Sequence, residues 1–501
     1  MHILLLTHAF NSLTQRLGAE LRGRGHEISI EFDIADSVAE EAVALFRPDL
    51  IVAPYLRRAI PESIWKRHVC LVVHPGIVGD RGPSALDWAL QEGETEWGVT
   101  VLQAEAEMDA GPVWATATFP LRAAKKSSVY RNEVTAAAVT AVLAAVDKLA
   151  AGAEPTPLAD WPDARGRLRP LMKQAERAID WQRDDTATVL RKINAADGFP
   201  GVADSLFGQP CHLFDAWPEQ VGAGGTAGEV VGRRETALLR RTCDGAVWIG
   251  HVKREGGFKL PATLAFAAEV AALPELALSG WWRADHATWQ DIAWEENGAV
   301  GFLSFEFYNG AMSTAQCRRL RDALAWARTR PVRVIVLAGG ADFWSNGIHL
   351  NVIEAADSPA DESWDNINAM DDLALELIES GGQLTIAALA GNAGAGGCFL
   401  ARAADLLWTR EGVMLNPHYK NMGNLYGSEY WTYLLPPRVG EKGAREIMLN
   451  RQPLTARGAV EAGFADACLA GDAAAFRVDV ARRALEIAQA PDFAKRLAAK
   501  R

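Results

Sequence analysis

The sequence predicts a multidomain α/β protein, and three observations lead to that prediction. The chain has 501 residues, whereas a typical domain takes roughly 100–200. Short apolar runs alternate with helical patterns over residues 1–120, which is typical of a parallel α/β sheet, and a similar pattern starts again at Asn297. Between them, short alternating strands and Gly-rich turns indicate a small β-barrel module. We therefore expect three domains, at residues 1–160, 165–275 and 285–501.

The composition predicts a cytoplasmic, globular protein whose ligands are small molecules. Hydrophobic residues make up 49% and charged residues 23%, and 51 Lys and Arg against 63 Asp and Glu give a net charge of −12, which disfavours nucleic acid as a partner. Six scattered cysteines without a CxxC pair predict reduced thiols. No apolar run approaches the ~18 residues of a membrane span or resembles a signal peptide. The histidine spacing predicts no metal site.

The first candidate site combines a histidine with a carboxylate. A predicted strand at residues 71–73 delivers His74 to a Pro-Gly turn, and Asp109 follows a predicted strand at residues 98–102. Ligands bind at the carboxyl ends of such strands, and a histidine beside a carboxylate can shuttle a proton, as acyl transfer requires. The alternative is that His74 is a capping or surface residue and that Asp109 only forms a turn.

The second candidate site lies on two glycine-rich loops, residues 338–350 and 391–398, each of which joins a predicted strand to a helix. Two such helix starts direct backbone N–H groups toward one point, which suits a developing oxyanion or a phosphate. Two alternatives remain. The glycines serve close helix–strand packing, or the second loop is a dinucleotide fingerprint with Glu411 on the ribose, although Phe399 stands where its third glycine is expected.

Four polar side chains follow the second loop within twelve residues of one another: His418, Tyr419, Tyr426 and Glu429. Burial beside an oxyanion site would raise the pKa of Glu429 toward neutrality, so that Tyr419 and Glu429 can exchange protons with a bound acyl group. The alternative for each aromatic residue is packing in the core.

The first half of the chain resembles the folate-dependent formyltransferases, including the second, barrel-like domain of methionyl-tRNA formyltransferase. The resemblance implies that His74 and Asp109 are catalytic and that Tyr55, Leu56 and Ile60 line a folate pocket. Most formyltransferases have Asn where this chain has Val72, which leaves the oxyanion to a backbone N–H or to the His74 imidazolium. An apolar residue there also occurs in the hydrolase domain of formyltetrahydrofolate dehydrogenase. The motifs are residues 55–61, 74–76, 81–82, 97–100, 109–111, 179–181 and 198–201.

Residues 297–490 resemble the crotonase superfamily of enoyl-CoA hydratases and isomerases, through the two glycine-rich loops. This resemblance implies a ββα fold, oxyanion-hole N–H groups at Ile348 and Gly396, and a CoA thioester bound by Asn346, Ile348 and Gly396. Phe399 and His418 occupy the positions of the hydratase glutamates, so water addition to an enoyl-CoA is not expected.

The fusion of the two halves, with Leu-Asn-Pro-His-Tyr at 415–419 and Tyr-Gly-Ser-Glu-Tyr-Trp at 426–431, is similar to the HoxX or HypX family of hydrogenase maturation factors. The resemblance implies synthesis of the carbon monoxide ligand of nickel-iron hydrogenase, with coenzyme A and 10-formyltetrahydrofolate as cofactors and hydrogenase assembly proteins as candidate partners. His74 and Asp109 would serve formyl transfer to CoA, and Tyr419 and Glu429 the decarbonylation of formyl-CoA. Two other functions remain open: a formyltetrahydrofolate hydrolase with a degenerate CoA-binding domain, and a non-catalytic scaffold that binds CoA or folate.

Overall fold

The structure is a computed structural model that describes residues 1–162, 164–222, 224–419, 427 and 429–500. It divides into two compact units. The first comprises residues 1–180, 187–204 and 212–214, and the second comprises 181–186, 205–211 and the chain from Asp215 onward. This division passes through the middle of the second predicted domain, so the three-domain organisation stays a prediction. Within the described ranges, the helices are all too short or too polar to cross a membrane.

The chain up to residue 200 folds into a sheet flanked by helices, as the alternating pattern predicts. A π-helical turn at Tyr130–Val134 joins its fifth and sixth helices, and a 3-10 turn lies at Leu158–Asp160. The strands are β1 (His2–Thr7), β2 (Glu27–Phe32), β3 (Leu50–Tyr55), β4 (Cys70–His74), β5 (Glu96–Gln103) and β6 (Val113–Pro120), and the helices are α1 (Ser12–Gly23), α2 (Asp36–Phe46), α3 (Glu62–Trp65), α4 (Ala85–Glu92), α5 (Lys126–Val129), α6 (Thr135–Ala150), α7 (Gln174–Arg177) and α8 (Thr186–Ala196).

The sheet order is β2-β1-β3-β4-β5-β6. Strands β1 to β4 are parallel, and their apolar runs are covered on both faces, as is usual in parallel sheets. Strands β5 and β6 are antiparallel, so the prediction of a parallel sheet holds for four of the six strands. Because β5 runs against β4, with Thr100 opposite His74, the loop of residues 104–112 rather than a parallel strand end brings Asp109 to His74.

The middle of the chain forms the predicted small β-rich module. Its sheet order is β7-β8-β11-β10-β9, with β12 paired to β11, and the pairs among β9 to β12 are antiparallel. These strands are β7 (Val202–Leu206), β8 (Gln209–Glu219), β9 (Val230–Arg234), β10 (Ala237–Arg241), β11 (Ala246–Arg254) and β12 (Lys259–Pro261), followed by helices α9 (Ala262–Ala265) and α10 (Ala267–Val270).

The last part of the chain contains three sheets and nine α-helices within the described ranges, besides a 3-10 turn at Tyr308–Gly310. The strands are β13 (Ile292–Asn297), β14 (Val300–Phe305), β15 (Ala311–Met312), β16 (Val334–Gly339), β17 (Phe343–Ser345), β18 (Gly347–Ile348), β19 (Leu384–Leu389), β20 (Asn392–Gly394), β21 (Leu406–Arg410), β22 (Met414–Asn416), β23 (Leu454–Thr455) and β24 (Ala467–Leu469). The helices are α11 (Thr314–Ala327), α12 (Leu350–Ala355), α13 (Pro359–Ile378), α14 (Gly396–Arg402), α15 (Trp431–Leu434), α16 (Pro436–Asn450), α17 (Ala456–Glu461), α18 (Ala473–Gln489) and α19 (Phe493–Lys500).

These elements repeat the predicted ββα unit. The main sheet has the order β13-β14-β16-β19-β21-β24, and strands β16, β19 and β21 each continue into a strand of the small sheet, β17, β20 and β22. Alternate residues along β16 and β19 face two different cores, one shared with α11 and α13 and the other with α18. Since β17 and β20 are parallel neighbours, the two glycine-rich loops meet at one end of the small sheet.

Candidate active sites

His74 lies at the carboxyl end of β4, is only 4% exposed, and has a carboxylate on each side. Its Nε2 atom lies 3.1 Å from Oδ1 of Asp80, a hydrogen bond. Its Nδ1 atom lies 3.6 Å from Oδ2 of Asp109, which is longer than a hydrogen bond. The structure therefore brings the two predicted residues together and adds Asp80, which was not predicted as a site residue.

Glycines permit this crowding around the imidazole ring. A Cβ atom on Gly76 would lie 2.5 Å from Nε2 of His74 and 2.8 Å from Oδ1 of Asp80. Gly82 has a φ of +113°, and a Cβ atom on it would lie 2.1 Å from the backbone oxygen of Arg169. The Gly82 N–H donates to Oδ2 of Asp109 at 3.2 Å. The turn after β4 thus positions both carboxylates.

Arg169 binds the Asp80 oxygen that does not contact His74, and Arg169 is itself paired with Glu92. The Nε atom of Arg169 donates to Oδ2 of Asp80 at 2.9 Å, and its Nη1 atom donates to Oε2 of Glu92 at 2.5 Å. Asp80 and Arg169 are both buried. Arg169 lies between short elements in a segment without apolar periodicity, so the sequence pattern gives no sign that it returns to the end of β4.

The predicted folate loop follows β3 at the same edge of the sheet as His74. Leu56 and Ile60 pack with Val72 in one apolar cluster. Tyr55 packs edge-on against Tyr130, and its hydroxyl accepts a hydrogen bond from Nε of Arg57 at 3.2 Å. Ile60 is nearly fully buried, so it serves the core as well as the loop. The folate contacts of Tyr55, Leu56 and Ile60 remain predictions.

In the second unit, the two glycine-rich loops pack directly against each other. A Cβ atom on Gly391 would lie 2.6 Å from the backbone nitrogen of Phe343, and one on Gly397 would lie 2.2 Å from the backbone oxygen of Ser345. These glycines therefore allow the two backbones to pack closely, which is one of the predicted alternatives. A Cβ atom on Gly347 would lie 3.1 Å from the nitrogen of Gly396, so the strand that contains Ile348 adjoins the start of α14. The first N–H groups of a helix have no partner within the helix, which is compatible with the predicted oxyanion hole.

Asn346 holds the first loop in place. Its side-chain Nδ2 donates to the backbone oxygen of Asn309 at 2.7 Å, and its backbone N–H donates to the oxygen of Gly310 at 2.7 Å. These bonds order the residues just before Ile348. A contact of Asn346 with CoA stays a prediction.

Tyr419 and Glu429 form a hydrogen-bonded pair over the start of α14. The Tyr419 hydroxyl donates to Oε2 of Glu429 at 2.5 Å. Oε1 of Glu429 lies 2.2 Å from where a Cβ atom on Gly396 would be, and Glu429 is only 3% exposed. The ring of Phe399 stacks on the ring of Tyr419, with centroids 6.2 Å apart. Burial, and secondarily the negative charge of Glu429, raises the pKa of Tyr419 far above its ordinary value, so the phenol keeps its proton.

Asp371, on α13, was not predicted and supports this pair. Its Oδ1 accepts the backbone N–H of Glu429 at 2.8 Å. Glu429 has a φ of +37°, a left-handed conformation that non-glycine residues rarely adopt. His418 lies next to Tyr419 and is partly buried, whereas Tyr426, the fourth residue of the predicted group, lies outside the described residues.

His349 follows Ile348 and caps the helix after the first loop. Its Nδ1 atom accepts the backbone N–H of Val352 at 3.3 Å, and its own backbone N–H donates to Oδ1 of Asn366 at 3.1 Å. Burial and, to a smaller extent, the neighbouring His251 lower the pKa of His349 to about 4. His349 is therefore neutral at pH 7.

Family comparisons agree with both halves of this architecture. The profile of the formyl transferase family matches residues 32–146, that of the formyl transferase C-terminal domain matches 171–268, and that of the enoyl-CoA hydratase/isomerase family matches 304–500. Over 503 aligned residues the chain is 54% identical to the hydrogenase maturation factor HoxX of Bradyrhizobium diazoefficiens, covering 100% of this chain and 87% of that protein. The chain belongs to the HoxX family of hydrogenase maturation factors. The predicted family is thus confirmed.

The HoxX family assignment is supported by a solved structure. HypX from Aquifex aeolicus, in complex with tetrahydrofolic acid, superposes with a TM-score of 0.96 at 46% identity, covering 100% of this chain and 88% of that one. Methionyl-tRNA formyltransferase of Dechloromonas aromatica is 27% identical over 240 residues, which is 47% of this chain and 76% of that protein. The comparisons therefore confirm the predicted fold class: a formyltransferase-type half with its C-terminal domain, joined to a crotonase-type half.

Glu411, which the dinucleotide alternative assigned to a ribose, has partners on two other segments of this HoxX-family structure. Its carboxylate pairs with Arg457 at 2.7 Å, and its backbone N–H donates to Leu469. The loop of residues 391–398 lies within the match to the enoyl-CoA hydratase/isomerase family and belongs to the crotonase fold.

Gly82→Ala should destabilise the protein more than Gly93→Ala. Both positions have positive φ, but a Cβ atom on Gly93 would meet nothing within 4 Å, whereas one on Gly82 would meet the Arg169 backbone. We expect a loss of about 1 kcal/mol for Gly93→Ala from backbone strain, and a further ~1–3 kcal/mol for Gly82→Ala from overpacking. Urea titrations of the two variants test this expectation, and equal losses would contradict the close approach of Arg169.

His349→Asn should make the protein less sensitive to acid. The ordinary pKa of 6.5 applies in the unfolded chain, and the folded value is about 4, so the unfolded state binds the proton first as pH falls. The wild type therefore loses stability between about pH 6.5 and 4, by about 2 kcal/mol at pH 5 relative to pH 7. Asn retains a helix-capping oxygen but no titratable group. Urea titrations at pH 7 and pH 5 should give a smaller difference for the variant, and an equal difference would contradict the neutral His349.

Proposed function

We propose that this protein makes carbon monoxide for the active site of nickel-iron hydrogenase, with 10-formyltetrahydrofolate and coenzyme A as its substrates. The formyl group passes first to the CoA thiol, giving formyl-CoA and tetrahydrofolate, and formyl-CoA then breaks down to carbon monoxide and free CoA. The family membership and the tetrahydrofolic acid in the Aquifex aeolicus HypX crystal support the proposal. The two buried proton-handling groups, one in each half, supply its chemistry.

In the first step, His74 and Asp109 manage one proton. The thiol sulfur bonds to the formyl carbon while the bond between that carbon and N10 of the folate breaks, and the thiol proton ends on N10. His74 carries this proton at Nδ1, the ring nitrogen that faces Asp109. Val72 has no donor for the formyl oxygen, so the protonated His74 ring supplies the positive charge beside it. Leu56, Ile60 and Val72 form an apolar surface suited to a flat heterocycle.

In the second step, Tyr419 and Glu429 divide the acid and base roles. Glu429 takes the proton from the formyl carbon, and Tyr419 gives its proton to the leaving sulfur as the bond between carbon and sulfur breaks. Glu429 then returns the proton to Tyr419 along their 2.5 Å hydrogen bond. The backbone N–H groups of Ile348 and Gly396 would face the thioester oxygen. No net proton is gained or lost, and carbon monoxide and the thiol are the products.

The observation that carries this proposal is the Tyr419–Glu429 hydrogen bond over the first turn of α14. A crotonase site without the hydratase glutamates lacks the groups for adding water, but this pair retains an acid and a base at the oxyanion position. A degenerate CoA-binding domain has no need of a buried carboxylate at a strained residue.

An assay with purified protein tests the reaction class. We expect 10-formyltetrahydrofolate and CoA together to yield carbon monoxide, measured by the absorbance shift of deoxyhaemoglobin. Neither substrate alone should yield it, because the first step needs both the formyl donor and the thiol acceptor. Formate is measured in the same samples. Formate without a need for CoA would instead identify a formyltetrahydrofolate hydrolase, and tight ligand binding without any product would identify a scaffold.

Variants in the two halves should separate the two steps. Tyr419→Phe and Glu429→Gln remove the acid and the base of the second step, so we expect carbon monoxide to fall at least 100-fold while tetrahydrofolate is still released. His74→Ala should abolish tetrahydrofolate release but not breakdown of added formyl-CoA. Tyr433→Phe, a change of the same type at an exposed tyrosine, is the control.

A mixture of the two variant classes tests whether one chain performs both steps with a retained intermediate. If formyl-CoA stays on the chain that made it, an equimolar mixture of His74→Ala and Glu429→Gln gives little carbon monoxide at low protein concentration. Full recovery in the mixture would mean that the intermediate diffuses freely. Loss of both steps in every single variant would contradict the division of roles.

A further inference from the structure

The two ring nitrogens of His74 lie at different distances from their neighbouring carboxylates. Nε2 lies within hydrogen-bond distance of Asp80, at 3.1 Å, whereas Nδ1 lies 3.6 Å from Asp109. An ionised carboxylate only accepts hydrogen bonds, so a hydrogen bond to Asp80 requires the proton on Nε2. Nδ1 is then the nitrogen at which a proton is gained and lost.

We propose that Asp80, held by its hydrogen bond from Arg169, is the positioning residue that orients His74 and fixes its proton on Nε2. Asp109 faces the reacting side of the ring. This inference rests on the proposed formyl transfer at His74. The sequence, in contrast, predicts Asp109 as the carboxylate beside His74 and gives no role to Asp80.

The surroundings of Asp80 are those of an anchored group. Its side chain is fully buried, and its second oxygen accepts a hydrogen bond from Nε of Arg169 at 2.9 Å. The guanidinium of Arg169 lies 5.5 Å from the ring centroid of Trp97, whose Nε1 donates to the backbone oxygen of Pro75. Hydrogen bonds at both oxygens hold the Asp80 carboxylate in one orientation, with Oδ1 directed at His74.

Asp109 is less buried and less firmly anchored than Asp80. Its side chain is partly exposed, its φ is +56°, and it lies on a loop of nine residues rather than in the turn after β4. Its Oδ2 already accepts the Gly82 N–H at 3.2 Å. The longer distance to Nδ1 leaves the Nδ1 proton available to a formyl oxygen. A carboxylate that orients a histidine ring normally binds the nitrogen remote from the substrate, which here is Nε2.

The absence of an Asn amide at Val72 makes this orientation more important. When Nε2–H is held by Asp80, a second proton on Nδ1 makes the ring a cation aimed at the substrate side. That cation can polarise the formyl oxygen as the missing amide would. Asp80 thereby adapts the site to the loss of its usual donor, without touching the substrate itself.

Asp80→Asn tests the inference by kinetics. The amide is similar in shape but lacks the charge that fixes the ring, and loss of an orienting carboxylate in such a site costs on the order of 10²–10⁴ in kcat. We expect tetrahydrofolate release to slow by such a factor, with KM for 10-formyltetrahydrofolate changed less than about threefold. Asp87→Asn removes another buried, arginine-paired carboxylate, bound to Arg177 at 2.6 Å, and should leave kcat within a few fold.

A spectroscopic measurement shows whether Asp80 acts through the ring. In ¹⁵N-histidine-labelled wild type, with signals assigned by comparison with His74→Gln, neutral His74 should have its proton on Nε2. This preference should be lost in Asp80→Asn and retained in Asp87→Asn. The proton on Nδ1 in the wild type, an unchanged spectrum in Asp80→Asn, or a kcat within threefold of wild type would overturn the inference.

The two experiments also separate this inference from the proposed function. A wild type with the proton on Nε2 but no formyl transfer would refute the proposed function and leave the orientation by Asp80 standing. If Asp80→Asn does not fold, Arg169→Lys replaces it. That variant keeps the positive charge but loses the Nε donor, and we expect a loss of about tenfold in kcat from disorder of Asp80; no loss would count against the inference.

Discussion

Each site depends on the same constraint: a buried carboxylate must be given hydrogen-bond donors. Ionised oxygen atoms without donors are unstable inside a protein, so the chain has to bring donors to them. Asp80 forms hydrogen bonds with Arg169 and His74, and Glu429 accepts one from Tyr419. In both sites the ring that is proposed to move a proton also forms a hydrogen bond with the carboxylate. The orientation of His74 and of Tyr419 therefore follows from the position of the carboxylate.

Glycines set how closely these partners approach. Gly76 lies beneath the His74–Asp80 contact, and Gly396 lies beneath the Glu429 carboxylate, so any larger residue would displace the charged group. The same reasoning separates two meanings of a glycine-rich loop. Gly391 and Gly397 are required because two backbones touch, whereas Gly396 is required because a functional side chain lies over it. A sequence motif alone does not distinguish these cases.

The sequence predicts those parts of the fold and sites that depend on local pattern. His74 ends an apolar strand, and Tyr419 and Glu429 lie close together along the chain, so spacing and resemblance identify them. Asp80 and Arg169 are 89 residues apart, and their contact depends on a segment without periodicity. Asp371 lies on a long amphipathic helix, where one carboxylate at the edge of the buried face resembles any other. The antiparallel direction of β5 was missed because parallel and antiparallel neighbours have similar apolar runs.

The carboxylate of the second site comes from a different position in this chain than in the hydratases of the superfamily. In the hydratases of the superfamily one glutamate belongs to the position occupied here by Phe399, on α14. In this chain the carboxylate comes from Glu429 instead, held in a left-handed conformation by the hydrogen bond from its N–H to Asp371. Such a conformation costs about 1–3 kcal/mol and persists only when its surroundings fix it.

Moving the carboxylate frees position 399 for an aromatic ring. Phe399 is fully buried, and its ring stacks on the ring of Tyr419. The same apolar contact keeps the Tyr419 proton in place by raising the pKa of the phenol. The proposed acid and base therefore lie beside an aromatic ring, at a position where the hydratases have a glutamate.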